Sequence, residues 1–298
     1  MRIAFFGLPI AALLLSADGH EVVFAAICRS DALGTRRLRR KLGADRIVIR
    51  PSLTSRDVVD RIRALAPDLI VSWFWTTQIP AEILSIAPSV GVHPSLLPRH
   101  RGPDPVFWAI DSGDAQTGVT AHCLDREYDT GAILGQAAIN IDPRWDSWAL
   151  AKRLDRPSLN LLRATVAGFA RGAPPTPIAQ CDADATDAPA PAEEMLELRW
   201  RWSTEKIERR VRAAGPWPGA FTVIGDTEVI VTRVEATDRY PKGLEPGEAV
   251  VVDGYAVVAT GTGAIRLLAG RDENDEPRTL TFTDFVSLVE EARDPVTK

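Results

Sequence analysis

The first half of the chain repeats one pattern: a short continuous apolar run, a turn, then a longer mixed stretch of helix formers. Arg2–Phe6 is the first such run and ends at Gly7-Leu8-Pro9, after which helix formers continue to Ala17. Glu21–Ile27 is Val-rich and predicts a second strand, Thr35–Leu42 a helix and Arg46–Ile49 a strand. Thr54–Leu65 reads as a helix with Thr54 as its cap, and Asp68–Phe74 as a strongly apolar strand. Strands that are apolar at every position have both faces covered, which implies a parallel sheet between helical layers. The expected fold class is α/β, a Rossmann-like, doubly wound, mostly parallel sheet. Ligands of such sheets bind beyond the C-terminal strand ends, here the loops after Phe6, after Phe74 and around His93.

The rhythm changes in the second half. Two strands, Gly118–Leu124 and Ile133–Ile141, precede a helix within Asp146–Ala170. Gly172–Ala192 is rich in Ala, Pro and Asp and reads as an exposed linker. One helix follows at Ser203–Ala213. Short Val-rich strands then fall near Phe221–Ile224, Val229–Val234, Gly247–Val252, Tyr255–Ala259 and Ala264–Leu268. That spacing predicts a small β-barrel. The expected division is a catalytic domain over 1–182, a linker over 183–198 and a barrel domain over 199–298.

A length of 298 residues suits two domains. Apolar residues at 45% and charged residues at 25% exclude wholesale disorder. A net charge of −5 gives no global reason to bind nucleic acid or an anionic membrane. Three well-separated cysteines exclude a disulfide framework and point to a reducing compartment. The four histidines lack metal-ligand spacing, so no metal is expected. Met1–Ala17 is apolar, but its charged start is thin, Gly7 and Pro9 interrupt it, and no small-residue cleavage site precedes His20. No segment has the roughly 18 unbroken apolar residues of a membrane span, so a cytoplasmic protein is expected.

Candidate chemistry concentrates in Gly91-Val-His-Pro-Ser-Leu-Leu-Pro-Arg-His-Arg-Gly102. A strand delivers His93, and two prolines and a glycine shape the irregular loop behind it. His93 is the one histidine in such a setting; His20, His100 and His122 have no comparable context. The second polar cluster, Asp125–Gly131, is a turn between two strands. A carboxylate from it, set beside His93, would orient and charge the imidazole or accept a proton itself. Ser95 has no nucleophile elbow around it, which argues against a Ser-His-Asp hydrolase. Strand alternation assigns two of Trp73, Phe74 and Trp75 to the core.

These strings, with Thr117-Gly-Val-Thr120 and Asp129-Thr-Gly131, resemble the folate-dependent formyltransferase family of methionyl-tRNA, glycinamide ribonucleotide and sugar-amine enzymes. The opening Met1–Pro9 is similar to the tRNA and sugar-amine members. Arg212–Phe221 resembles their C-terminal, OB-like barrel. The resemblance implies that His93 and Asp129 are catalytic. It also implies an asparagine where Gly91 stands, a side chain that helps to hold the formyl oxygen. Losing one such donor costs about 2.7–4 kcal/mol. It implies a pterin pocket at Gln78, Ile79, Pro80, Asp125, Tyr128 and Thr130, and acceptor contacts at Leu8, Pro9, Ser95 and Arg101. The implied one-carbon donor is 10-formyltetrahydrofolate. The alternative is 5,10-methylenetetrahydrofolate with hydroxymethyl transfer, a chemistry that forms no oxyanion and would miss the asparagine less. Methionyl-tRNA formyltransferase is the second alternative and a non-catalytic descendant the third, and the retained His93 and Asp129 count against the last.

The acceptor is expected to be a small-molecule amine. Family members acting on tRNA carry a basic insertion after the second strand, and here Cys28–Thr35 is short. Residues 199–298 hold 14 Lys/Arg against 17 Asp/Glu, three net negative charges, which does not favour a phosphate backbone. Arg36, Arg37, Arg39, Arg40 and Lys41 recur at helical spacing and read as a solvated face. The expectation is therefore against tRNA.

Overall fold

The computed structural model describes residues 1–272 and 278–293. Residues 273–277 and 294–298 of the expected barrel domain lie outside the described residues. In order, the chain forms β1 (Arg2–Gly7), α1 (Pro9–Ala17), β2 (Glu21–Ile27), α2 (Thr35–Leu42), β3 (Ile47–Ile49), α3 (Arg56–Ala64), β4 (Leu69–Trp73), α4 (Ala81–Leu84), β5 (Ser89–His93), α5 (Pro105–Ser112), β6 (Gln116–His122), β7 (Ile133–Asn140) and α6 (Ser147–Ala170). There follow α7 (Glu193–Leu196), α8 (Thr204–Ala214), β8 (Ala220–Ile224), β9 (Thr227–Thr237), β10 (Ala249–Val252), β11 (Tyr255–Ala259), β12 (Ala264–Asp272), β13 (Arg278–Thr281) and α9 (Phe282–Arg293). No helix among the described residues is long and apolar enough to cross a membrane.

Two compact units divide these elements: Met1–Pro105, Gln116–Ile139 and Lys152–Pro189 form the first, Val106–Ala115, Asn140–Ala151 and Ala190–Lys298 the second. The first holds a seven-stranded sheet in the order β3-β2-β1-β4-β5-β6-β7. β1 pairs in parallel with β2 and β4, and β4 in parallel with β5. β6 runs antiparallel to β5. Phe5, Ile27, Leu69 and Val71 are fully buried in one core cluster, Phe6, Phe24 and Ile70 in another. Such double coverage is what strands apolar at every position require. The order places β1 and β4 at the centre, so the loops after β1, β4 and β5 share one sheet edge, the crevice typical of doubly wound sheets.

Thr54 does not cap α3. The helix begins one residue later, with Ser55 preceding it and no side-chain cap bond, while the Thr54 hydroxyl pairs with that of Ser52. Phe74 has φ 55° and leaves the sheet, 41% exposed, whereas Trp73 is buried and its indole N–H donates to Ser158 Oγ at 2.7 Å.

Residues 183–198 do not run free from end to end. Ile178 exchanges two backbone hydrogen bonds with Ile133, Arg101 N–H donates to the Thr186 carbonyl, and Ala188 N–H donates to the Arg101 carbonyl. Asp104 N–H donates to the Ala188 carbonyl at 3.0 Å. This strap belongs to the first unit as far as Pro189.

The second unit holds a six-stranded sheet, order β10-β11-β12-β9-β8 with β13 on β12, in which neighbouring strands run antiparallel. It is a half-barrel among the described residues. Register shifts in the β9–β12 pair mark bulges, which bend and twist a sheet. β13 and α9 were not anticipated; α9 buries only Phe285 and Val289, too sparse an apolar stripe to stand out in sequence.

Candidate active site

β5 ends at His93 and β6 at His122, with Gly91 directly opposite His122 and His93 opposite Thr120. Directly opposed residues project to the same face, so the His122 ring stands beside the Gly91 backbone. A Cβ at Gly91 would lie 2.5 Å from Leu124 Cδ2 and 3.3 Å from His122 Nε2. The absent side chain is the room that His122 and Leu124 fill.

The turn after β6 returns Asp129 to this spot. Asp129 has φ 60°, a left-handed conformation that aspartate tolerates better than most residues. Gly131 passes so close to the Cys123 carbonyl that any Cβ there would collide with it. Asp129 Oδ1 then lies 3.3 Å from His93 Nδ1 and 3.6 Å from His122 Nε2. Its Oδ2 accepts the Gly102 N–H at 3.0 Å. Thus the two sites singled out in the sequence, around His93 and Asp129, meet.

Each imidazole spends its outer nitrogen on a carbonyl oxygen: His93 Nε2–H donates to His100 and His122 Nδ1–H to Cys123, both at 2.8 Å. Burial disfavours charge on both rings. It pushes the His93 pKa below the ordinary histidine value against the pull of Asp129. It pushes His122 down to about 4. Both rings are therefore set to act as neutral groups.

The loop between His93 and Gly102 is knotted from inside. Ser95, expected at the acceptor, is fully buried; its hydroxyl donates to the Arg99 carbonyl at 2.6 Å and its carbonyl accepts from Thr120 Oγ1 at 2.7 Å. It shapes the loop and offers no free hydroxyl. The Arg101 guanidinium is committed to Gln180 Oε1 and Asp182 Oδ1. Gln180 in turn donates to the Asp129 and Gly131 carbonyls, both at 2.7 Å, and so clamps the turn. Leu8 N–H donates to the Trp73 carbonyl at 3.1 Å, and Pro9 opens α1.

The residues expected at the pterin lie on two joined loops. Gln78 Nε2–H donates to the Arg126 carbonyl. Ile79 is buried beneath, and Pro80 precedes α4. Tyr128 and Phe74 are exposed at the rim. Asp125 Oδ1 accepts the Arg126 N–H, and Thr130 Oγ1–H donates to the Glu127 carbonyl. The buried Trp75 indole N–H has no acceptor.

The sequence reading missed His122. The available clue was Gly91 itself, since a glycine within a strand marks a close approach by another group. Which group approaches depends on the β5–β6 register, which no local pattern reveals.

The formyl transferase family model matches residues 4–166, and the model of the formyl transferase C-terminal domain matches residues 192–286. The chain belongs to the formyl transferase family. A methionyl-tRNA formyltransferase of Mycolicibacterium vanbaalenii is 33% identical over 283 residues, covering 90% of this chain and 91% of that protein. HypX of Aquifex aeolicus, solved with tetrahydrofolic acid, superposes with a TM-score of 0.65 at 20% identity over 99% of this chain. The chain spans 48% of HypX, about half its length. An N-formyltransferase of Helicobacter canadensis, solved with folinic acid and dTDP-3-aminofucose, gives 0.64 at 13% identity, covering 90% of this chain and 98% of that one.

The expectation against tRNA does not stand. Several methionyl-tRNA formyltransferases resemble this chain at 33–35% identity over nine-tenths of its length. The argument from charge failed because it averaged over a whole domain, whereas phosphate contacts depend on local basic groups. α2 presents Arg36, Arg37, Arg39, Arg40 and Lys41 to solvent, with only Thr35 and Leu38 buried.

Proposed function

We propose that this formyl transferase moves a formyl group from 10-formyltetrahydrofolate to the amino group of methionyl-tRNA. The observation that carries the reading is the end-to-end similarity, 33% over 90% of the chain, to methionyl-tRNA formyltransferase. Local support for the acceptor is the exposed basic face of α2, suited to phosphate oxygens. For the donor, the support is the pair of loops Gln78–Pro80 and Asp125–Thr130, joined by the Gln78–Arg126 hydrogen bond, the second of which carries Asp129.

When bound, the folate supplies the activated formyl carbon. Gln78–Pro80 and Asp125–Thr130 would hold the pterin, and exposed Tyr128 and Phe74 would flank it. Asp129 is the proton acceptor nearest the protein surface in the cluster, its side chain 17% exposed against 7% for His93. His93 Nδ1 faces Asp129 Oδ1 at 3.3 Å, while its own Nε2–H is fixed by the His100 carbonyl. The Gly102 N–H fixes the other carboxylate oxygen, so the group is oriented before any ligand arrives.

The test gives the full chain 10-formyltetrahydrofolate with methionyl-tRNA and, in parallel, with dTDP-3-aminofucose, and reads the products by mass. Formylmethionyl-tRNA is expected. A formylated sugar alone overturns the acceptor, and a product carrying a hydroxymethyl or methylene unit overturns the donor chemistry.

A further inference from the structure

We infer that His122 is a positioning residue of this site: it shares one proton with Asp129 and His93, and it stands in the room left by the glycine at 91. The inference rests on the reading of His93 and Asp129 as the reacting pair. It follows from where the hydrogens must be. Carbonyl oxygens only accept, so His93 Nε2 and His122 Nδ1 both carry hydrogen. A neutral imidazole has a single N–H, so both inner nitrogens then present lone pairs. They present them to the same oxygen, Asp129 Oδ1, at 3.3 and 3.6 Å. The Gly102 N–H serves Oδ2 instead.

With the carboxylate ionised and both rings neutral, three acceptors would converge with no hydrogen among them. One proton turns that repulsion into a charge-assisted hydrogen bond, whichever of the three atoms bears it. A second proton would leave two imidazolium rings facing each other in a buried site, and burial resists charge on each. The one proton is therefore shared, and its titration belongs to the group. The other titratable groups at its edge are His100, whose charge disfavours His93 protonation, and Cys123, whose thiol is raised by burial and by Asp125.

The register makes His122 and Gly91 a matched pair. Gly91 lies opposite His122, and a side chain at 91 would press on the ring. A polar ring nitrogen thus occupies the position from which a side chain at 91 would have acted. Amide formation takes one proton from the attacking amine and returns one to the departing nitrogen. A trio charged with one proton gives it to the departing nitrogen, takes one from the amine, and so ends the cycle unchanged.

Imidazole ¹⁵N NMR of the full chain without ligand, between pH 5 and 9, tests this. His122 Nδ1 should remain protonated throughout, and His93 and His122 should report one shared proton loss. His122→Phe keeps a ring but removes an acceptor; the shared proton should then leave about one pH unit lower. His122→Gln returns a polar atom and should recover part of that shift. The alkaline limb of the kcat profile should move with it. Two independent titrations, or a His93 titration unchanged in His122→Phe, would reduce His122 to a space-filler and overturn the inference. If the Phe variant does not fold, an unchanged His93 titration in the Gln variant has the same force. Because the readout needs neither folate nor acceptor, a failed formylation assay leaves it intact, and the reverse also holds.

Discussion

Asp111 and Asp129 are both withdrawn from water, one in each unit, and their surroundings differ in kind. Asp111 meets Arg210 through two hydrogen bonds of 2.7 and 3.0 Å and Lys206 at 2.6 Å. Burial alone would raise its pKa; the hydrogen bonds from Arg210 and Lys206 outweigh it and hold the carboxyl below the usual range. Both oxygens have permanent cationic partners, and neither is left for chemistry. Asp129 has one backbone donor and two imidazoles whose own hydrogens are spent elsewhere. Saturation makes a brace, whereas a carboxylate kept one proton short of saturation can exchange that proton. The difference lies in fixed cations against titratable rings, since burial is common to both.

Replacing the two aspartates separates these roles most sharply. Asp129→Asn should lower kcat roughly a thousandfold, the scale of a lost acid–base group, while tetrahydrofolate binding measured by fluorescence stays within a factor of a few. A kcat within tenfold of the parent would end the comparison. Asp111→Ala should do the opposite. It strands Arg210, which is 5% exposed, and should cost about 3–5 kcal/mol in denaturant unfolding of the second unit.

Acid should find the two units in sequence. His122 is neutral in the fold and has its pKa lowered to about 4, so the unfolded chain binds more protons as pH falls below about 6.5. The first unit should lose up to about 3 kcal/mol between pH 6.5 and 4, and His93 adds to the loss in the same direction. Asp111, depressed by its cations, keeps its contribution above about pH 4 and loses it below. Hydrogen exchange followed by pH should therefore show protection fading around β5 and β6 before it fades around α5 and α8. The reverse order would contradict the contrast.

The smallest change is Gly91→Asn. The added side chain must displace Leu124 and press on His122, and kcat should fall by about tenfold, 1.4 kcal/mol in barrier. Combined with His122→Ala, which clears the ring, part of the loss should return. Simple additivity of the two losses would show that the residues do not share their space.

Local pattern carried much of the first unit. Glu21–Ile27 and Thr35–Leu42 have the same ends in sequence and structure, because a run of buried valines and a basic helix with one apolar stripe are each self-evident over seven or eight residues. His93 and Asp129 were legible because distinctive loop residues flank both. His122 was not: it sits in an ordinary strand, and its meaning comes from Gly91, thirty-one residues earlier and opposite it only once β6 runs antiparallel. The strap from Ile178 to Ala188 was hidden for a related reason. Its composition is that of a linker, and what holds it is backbone hydrogen bonding, to which side-chain chemistry gives no clue.

That strap sets the smallest piece of chain able to hold the site. A polypeptide ending after α6 would retain the whole sheet and every atom of Asp129, His93 and His122. It would lose Gln180 from the Asp129 and Gly131 carbonyls, Thr186 Oγ1 from the His100 N–H, and Ala188 from Arg101 and Asp104. Cut there, the polypeptide should fold into a complete sheet and still be a poor catalyst, and a synthetic peptide spanning 176–190, added in trans, should restore part of its turnover.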